Sequence, residues 1–378
     1  MQDAPAPATV ALPRAHRWRR QWLPMRRALR EHSLLIAIVA LQTVAGFFLP
    51  GLYGLDYPMQ LPFGGVIALI AKMVLWVGPL ALAILSFLLM RRRSRRRLIP
   101  RLQRVLRLKF FRATRIWGGL TILLLLIPFL ISTSFFKGMI PLFHPFDWDP
   151  TLAQWDRLLH FGREPWQWLQ PVLGFPIVTG LLSMVYDFWF LVLYGVMIWQ
   201  AFDRRDPVLR MQYFIATILI WILLGNVAAT LLSSAGPAFY GRVTGLADPY
   251  APLMDYLRAA NLRFPNWSLH VQDVVWGLIQ EQGTGGKVRN LISAMPSLHL
   301  GSTFSFFLLA RATNRRLARA FGVFMLLMVL GSIHLAWHYA LDVYAGILGA
   351  GLIWLAAGWL VRNPVVAGLL WGRQVVKG

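Results

Sequence analysis

Long apolar runs broken by short charged clusters set the rhythm of this chain. Ile116 to Phe136 contains no charged residue, and neither does Met211 to Gly241. About 18 such residues suffice for a helix to cross a bilayer. Many runs reach this length, and eight spans are read, at residues 33–49, 65–90, 116–136, 176–201, 211–232, 297–310, 320–336 and 340–361. The expected fold class is therefore all-α: a polytopic integral membrane protein of about eight transmembrane helices. Residues 1–32 read as a basic disordered tail and 33–115 as a two-helix hairpin with an arginine-rich loop. Residues 116–361 read as a six-helix core and 362–378 as a second tail.

Composition agrees with this reading. The 378 residues are 57% hydrophobic and 14% charged, with mean hydropathy +0.55, whereas a soluble domain carries roughly 25% charged residues. The net charge of +23 is distributed as a topology signal. Segments assigned to one side of the membrane hold 29 of the 38 Lys and Arg, segments on the other side hold 8, and Lys72 snorkels from a span end. Positive charge stays inside, so both termini are expected in the cytoplasm of a multi-pass cell (inner) membrane protein, in contact with anionic headgroups. The run Arg91-Arg92-Arg93-Ser94-Arg95-Arg96-Arg97 lacks the interleaved aromatic residues of a nucleic-acid platform; it reads as a stop-transfer loop, with no nucleic-acid partner. The first apolar run is longer than a signal-peptide core and lacks a small-residue cleavage site, so it reads as a retained helix. The chain has no cysteine, which removes disulfides, thiol catalysis and cysteine metal sites.

Two extracytoplasmic segments are long enough to be structured. Residues 137–175 hold Trp148, Trp155, Trp166 and Trp168 among Asp147, Asp149, Asp156 and Arg157, a density that suits interfacial helices. In residues 233–296, Trp267, Val271, Val274, Val275 and Leu278 recur at helical spacing, as in a lid.

Two short segments carry the candidate chemistry: Pro296-Ser297-Leu298-His299 and His338-Tyr339-Ala340-Leu341-Asp342. Each places a histidine at the N-terminal end of a membrane helix, where unpaired N–H groups and the helix dipole attract anions. Proline suits the first helical position, Ser297 offers a hydroxyl to a phosphate oxygen, and His299 in the first turn can protonate a departing oxygen. His338 and Asp342 are four apart and share a helix face. A carboxylate there can accept the Nδ1–H, fix the tautomer and leave Nε2 free to attack. Two crossings separate the segments, so both reach the same extracytoplasmic face. Asp187, deep in the fourth span, reads as an interhelical hydrogen-bonding group.

These residues resemble the type 2 phosphatidic acid phosphatase superfamily, which also includes vanadium haloperoxidases and whose second and third motifs read P-S-x-H and S-R-x5-H-x3-D. The resemblance is nearest to the inositol phosphorylceramide synthase branch, through the two segments above and through Ser233-Ser234-Ala235-Gly236-Pro237-Ala238-Phe239-Tyr240. It covers about residues 116–361. It implies His338 as nucleophile through a phosphohistidine, Asp342 as its orienting partner, His299 as acid and base, and Ser297 and Tyr240 in substrate binding, with no cofactor and no metal. His334, His338 and Asp342 at i, i+4, i+8 also fit a metal stripe, but that reading crosses a helix break at Trp337-His338 and leaves His299 unexplained.

The chain departs from the pattern in two places. Gly331 and Ser332 stand where the third motif has Ser and Arg, and no Arg-Pro dipeptide completes a K-x6-R-P first motif. Phosphoryl transfer needs positive charge at the equatorial oxygens. Substitutes on the expected face are Arg242, Lys287 and Arg289, with Arg242 favoured and His334 able to contribute when protonated. The function implied is transfer of a phosphorylated headgroup between lipids, with phospholipid, ceramide-like or polyprenyl phosphate partners. Hydrolysis of a lipid phosphate is the alternative within the class. A flippase is the alternative outside it, disfavoured by the absence of internal repeats and mid-membrane polar sites.

Overall fold

The computed structural model describes residues 14–52, 113–281 and 293–371, and these are helical without a strand. In chain order the helices are α1 (Arg14–Glu31), α2 (Ser33–Leu52), α3 (Ala113–Phe143), α4 (Asp149–Leu159), α5 (Pro165–Leu173), α6 (Pro176–Phe202), α7 (Pro207–Leu231), α8 (Tyr240–Thr244), α9 (Ala251–Asn261), α10 (Trp267–Glu281), α11 (Leu298–Thr313), α12 (Arg315–His334), α13 (Ala340–Arg362) and α14 (Pro364–Trp371). Among the described residues, α3, α6, α7, α12 and α13 are long and apolar enough to cross a membrane, and α1 with α2 form a further candidate span bent by 67°. The chain is a polytopic membrane protein. The expected span at 65–90 and the arginine loop lie outside the described residues.

Helix limits follow local chemistry. Asp206 accepts the Leu209 N–H at 2.9 Å ahead of Pro207 at the start of α7. Asn314 accepts from Arg316 and Leu317 to start α12 directly after α11. That cap leaves α11 only 16 residues, shorter than α12 and α13. Conversely, α3 runs past the expected end at Phe136, through Lys137 and Pro141. Lys137 is thus a helical residue rather than a loop residue.

In lipid, helices associate by close packing rather than by a hydrophobic drive, so small residues sit where backbones meet. Here α11 and α13 meet at Gly301 and Gly346: a Cβ on Gly346 would lie 2.4 Å from the Ser297 carbonyl oxygen. The middle of α7 widens into a π-helix over Ile220–Ala228, a form common at functional sites. Its Gly225 admits the Leu298 side chain, and its Trp221 donates to Ser302 Oγ at 3.2 Å. The end of the bundle remote from the histidines is held by charge. Glu31 pairs with Arg27 and Arg204, each at 2.8 Å, and buried Arg210 donates to the carbonyls of Gln200, Ala201 and Gly118.

Candidate active site

The loop between α12 and α13 carries the second histidine segment. It turns sharply: Ala336 has φ 58°, and the N–H groups of Trp337 and His338 both donate to Ser332 O. Left-handed backbone at a non-glycine residue costs about 1–2 kcal/mol and persists only where the surroundings enforce it. Here Ala238 N–H donates to Ala336 O at 3.0 Å and Gln272 donates to Leu335 O at 2.9 Å.

His338, 8% exposed at its side chain, sets Nδ1 3.3 Å from Asp342 Oδ2, and the same oxygen accepts the Tyr339 N–H at 2.9 Å. The ring of His299 lies 6.1 Å from that of His338, centroid to centroid. His299 is packed on its other sides by Tyr186 at 4.8 Å and Trp189 at 4.2 Å. The two segments are also joined directly, since Ser297 N–H donates to Asp342 O at 3.0 Å.

The start of α13 is not a free anion site, and that of α11 is capped in part by its own serine. Ser297 is fully buried, and its Oγ accepts the Leu300 N–H at 3.4 Å. At α13, Ala340 and Leu341 donate to the two oxygens of Asp156 at 2.7 and 2.9 Å. This differs from the sequence expectation because a carboxylate on a distant helix supplies the missing acceptors. Burial pushes Asp156 up to about 6; the two amides oppose the shift and the charge of Asp342 adds to it. Asp149 is one face-repeat earlier on α4 and is also buried. Its Oδ1 accepts from Ser234 Oγ, Gly236 N–H and Tyr339 OH, and its Oδ2 from Ala235 N–H, all at 2.8–2.9 Å. Burial raises this carboxyl too, against those four donors. Gly236 (φ 93°) has no room for a Cβ, which would sit 2.9 Å from Trp337 O. The sequence reading treated Asp149 and Asp156 as interfacial polar residues and missed this role. Their signal was the seven-residue spacing, two turns on one helix face.

The remaining predicted residues are dispersed. Tyr240 begins a chain of edge-to-face rings, through Tyr250, that ends at Tyr339. Arg242 lies over Trp276, 5.2 Å from its ring, on the wall of a separate cleft. His334 belongs to another network: Nε2 meets Thr179 Oγ1 at 2.9 Å, and that hydroxyl meets Tyr256 OH at 2.7 Å. Lys287 and Arg289 lie outside the described residues. A cation the sequence reading did not weigh stands closer to the histidines. Lys137 Nζ is 5.9 Å from the Trp221 ring centroid and within electrostatic reach of His299. No carboxylate pairs with it among the described residues.

The model of the PAP2 superfamily matches residues 150–356, more than half of the chain and including both histidine segments. The chain belongs to the PAP2 superfamily. Its members are phosphatases and phosphotransferases, so this is a multi-pass membrane enzyme of that class. Comparison with curated proteins and with solved structures gives no match.

Proposed function

We propose that this PAP2 protein moves a phosphorylated headgroup between lipids at the extracytoplasmic face, through a phosphohistidine on His338. Asp342 accepts the Nδ1–H of His338 and holds the tautomer that leaves Nε2 unprotonated. Nε2 attacks phosphorus, the P–O bond to the departing lipid hydroxyl breaks, and His299 gives its proton to that oxygen. In the second half, His299 takes the proton of the acceptor hydroxyl, whose oxygen attacks phosphorus as the P–N bond breaks. Lys137 supplies positive charge beside the transferring group, where preorganised charge contributes most. The observation that carries the reading is the 6.1 Å approach of the two imidazoles with a carboxylate on one of them.

Transfer is favoured over hydrolysis by the wall of the site. Tyr186 and Trp189 pack on His299, and Trp337, next to His338 in the chain, stacks on Tyr186, a setting poor in water and suited to a lipid hydroxyl. The strong bias of Lys and Arg to one side supports cytoplasmic termini and an extracytoplasmic site. The test uses purified protein with a phospholipid labelled at phosphorus and a hydroxyl-bearing lipid acceptor. Transfer yields a new labelled lipid and an acid-labile labelled enzyme, both lost in His338→Ala; in Asp342→Asn the rate falls by ~10³–10⁴, by analogy with tautomer loss in a serine protease triad. Release of the labelled headgroup phosphate into water without a labelled lipid product indicates hydrolysis, and full turnover by His338→Ala refutes the mechanism.

A further inference from the structure

The hairpin of α4 and α5 has two unlike faces. Toward the protein, Asp149, Leu152, Ala153 and Asp156 of α4 are buried, and the two carboxylates hold the loop to His338. A helix with one buried face normally turns polar residues outward to water. Here the outward positions include Trp155, Leu158 and Leu159, 47–70% exposed, and in the turn that follows Phe161 is 90% exposed. The turn is held rather than frayed: Gly162 N–H donates to Arg157 O at 2.8 Å, and Arg157 pairs with Glu164 across it at 2.6 Å. Phe161 sits there at φ 61°, a left-handed conformation that a bulky residue keeps only where its surroundings enforce it. The fold thus keeps strained backbone at the residue whose ring it turns outward.

That outward surface continues the one the spans give to lipid. His160 Nε2 meets Tyr344 OH at 3.0 Å; Tyr344, one helical turn inside α13, begins an exposed stripe through Leu348 and Leu352. On the other arm, Trp168 donates to His160 O at 3.2 Å, and exposed Val172 and Phe175 lead to Ile177, Leu181 and Met184, the exposed stripe of α6. The hairpin therefore joins two lipid-facing stripes into one apolar band. Arg163 stands over the Trp168 ring, 5.1 Å from its centroid, a cation and an aromatic ring of the kind found where acyl chains meet headgroups. We infer that the α4–α5 turn is seated in the acyl layer of the leaflet on the side of His338, with Phe161 at its tip and lipid chains as the partner of its outer face. Helices lying flat among headgroups would account for the tryptophans, but not for Phe161. Because α4 carries Asp149 and Asp156, the seating also fixes the loop to His338. That this loop is catalytic rests on the function proposed above; the seating does not.

The chain has no cysteine, so Phe161→Cys takes a single NBD fluorophore on the full-length protein, held in phosphatidylcholine nanodiscs. Lipid spin-labelled on its acyl chain should quench this fluorophore at least ~3-fold more than aqueous iodide does, as for a group buried below the headgroups. The order should reverse for Asp255→Cys, at a residue 76% exposed on α9. Iodide quenching as strong as at Asp255 would overturn the inference. So would protection from both quenchers, the result if a second copy or another protein covers the turn. If Phe161→Cys does not fold, Leu158→Cys, at a residue 70% exposed, decides in its place. For the link to the loop, Phe161→Asp with unchanged Tm should lower turnover in nanodiscs ~10-fold, short of the ~10²-fold of a 1 Å misplacement, and Phe161→Leu should restore it. Unaltered turnover in Phe161→Asp would break that link. Failure of the catalytic reading shows separately, as turnover that persists in His338→Ala.

Discussion

A single methyl group added where α13 meets the start of α11 should slow this enzyme. In Gly346→Ala, the new Cβ would lie 2.4 Å from the Ser297 carbonyl oxygen and 3.2 Å from its carbonyl carbon, both backbone atoms. Side-chain Cβ atoms essentially never approach closer than 3.0 Å, so α13 and the start of α11 must separate by at least 0.6 Å. Because Ser297 and Gly346 flank the Ser297–Asp342 bond, the opening acts directly on the spacing of His299 and His338. Overpacking of this kind costs about 1–3 kcal/mol, and a 1 Å misplacement of reacting groups can cost ~10² in rate. Turnover should therefore fall ~10- to 100-fold with a lowered Tm. Gly349→Ala is the control: its Cβ meets only the flexible end of Leu224, at 2.8 Å, and should cost less than ~3-fold. Labelled lipid transfer and detergent-phase thermal unfolding read both quantities. Wild-type turnover in Gly346→Ala, or equal losses in the two variants, would refute the reasoning.

Three further outcomes are expected. Lys137→Met should lower turnover ~10²-fold, the scale for loss of one charge-stabilising contact, with Tm unchanged and partial recovery in Lys137→Arg; unaltered turnover removes Lys137 from the site. Asp156 is held at about 6 when folded against 3.8 for the free carboxyl, so the folded state binds its proton more tightly. Its contribution to stability is complete below pH ~4 and is lost as pH rises through ~6, a drop of up to about 3 kcal/mol. SDS-titration unfolding between pH 4 and 7 should show that drop in the wild type and lack it in Asp156→Asn, and equal slopes would contradict the assignment. Finally, a phosphomonoester lipid carries a charge of about −1.5 to −2 near pH 7, against one negative charge on a diester. With three buried carboxylates nearby, the diester should be the better substrate by ~10-fold in kcat/KM; faster turnover of phosphatidic acid would reject this charge argument.

Much of the scaffold was legible because hydropathy is a property of consecutive residues. The span expected at 176–201 is the helix Pro176–Phe202, and that at 340–361 is Ala340–Arg362. The pairing of His338 with Asp342 was legible for the same reason, as two residues one helical turn apart. Asp156 was not, because its partners are backbone amides 184 and 185 positions away, and backbone amides leave no signature in side-chain identity. Lys137 was hidden by the opposite effect. A charge ends an apolar run in a hydropathy reading, but it does not end a helix, and α3 carries Lys137 onward to face Trp221. Of the expected stripe Trp267, Val271, Val274, Val275 and Leu278, the first three are exposed, whereas Val275 is buried together with Ser268, Leu269 and Gln272. Polarity there misled because a polar residue can be buried when the loop it meets offers a carbonyl.

The occupied start of α13 changes how the site must work. Asp149 holds the Tyr339 hydroxyl while Asp156 holds the Ala340 and Leu341 amides, so α4 fixes the loop to His338 from two points. Asp342 then orients the ring itself. Three carboxylates thus provide rigidity and consume the donors that a phosphate would otherwise use. In the proposed reaction, positive charge for the transition state comes from side chains instead, from Lys137 and from His299 while it is protonated. When His299 gives its proton to the departing oxygen, positive charge passes to the phosphorylated ring of His338, whose Nδ1–H faces Asp342, and His299 is left a neutral base beside the proposed intermediate. An acceptor hydroxyl can return both proton and charge in one step, and a site enclosed by aromatic rings makes a lipid hydroxyl better placed to do so than water.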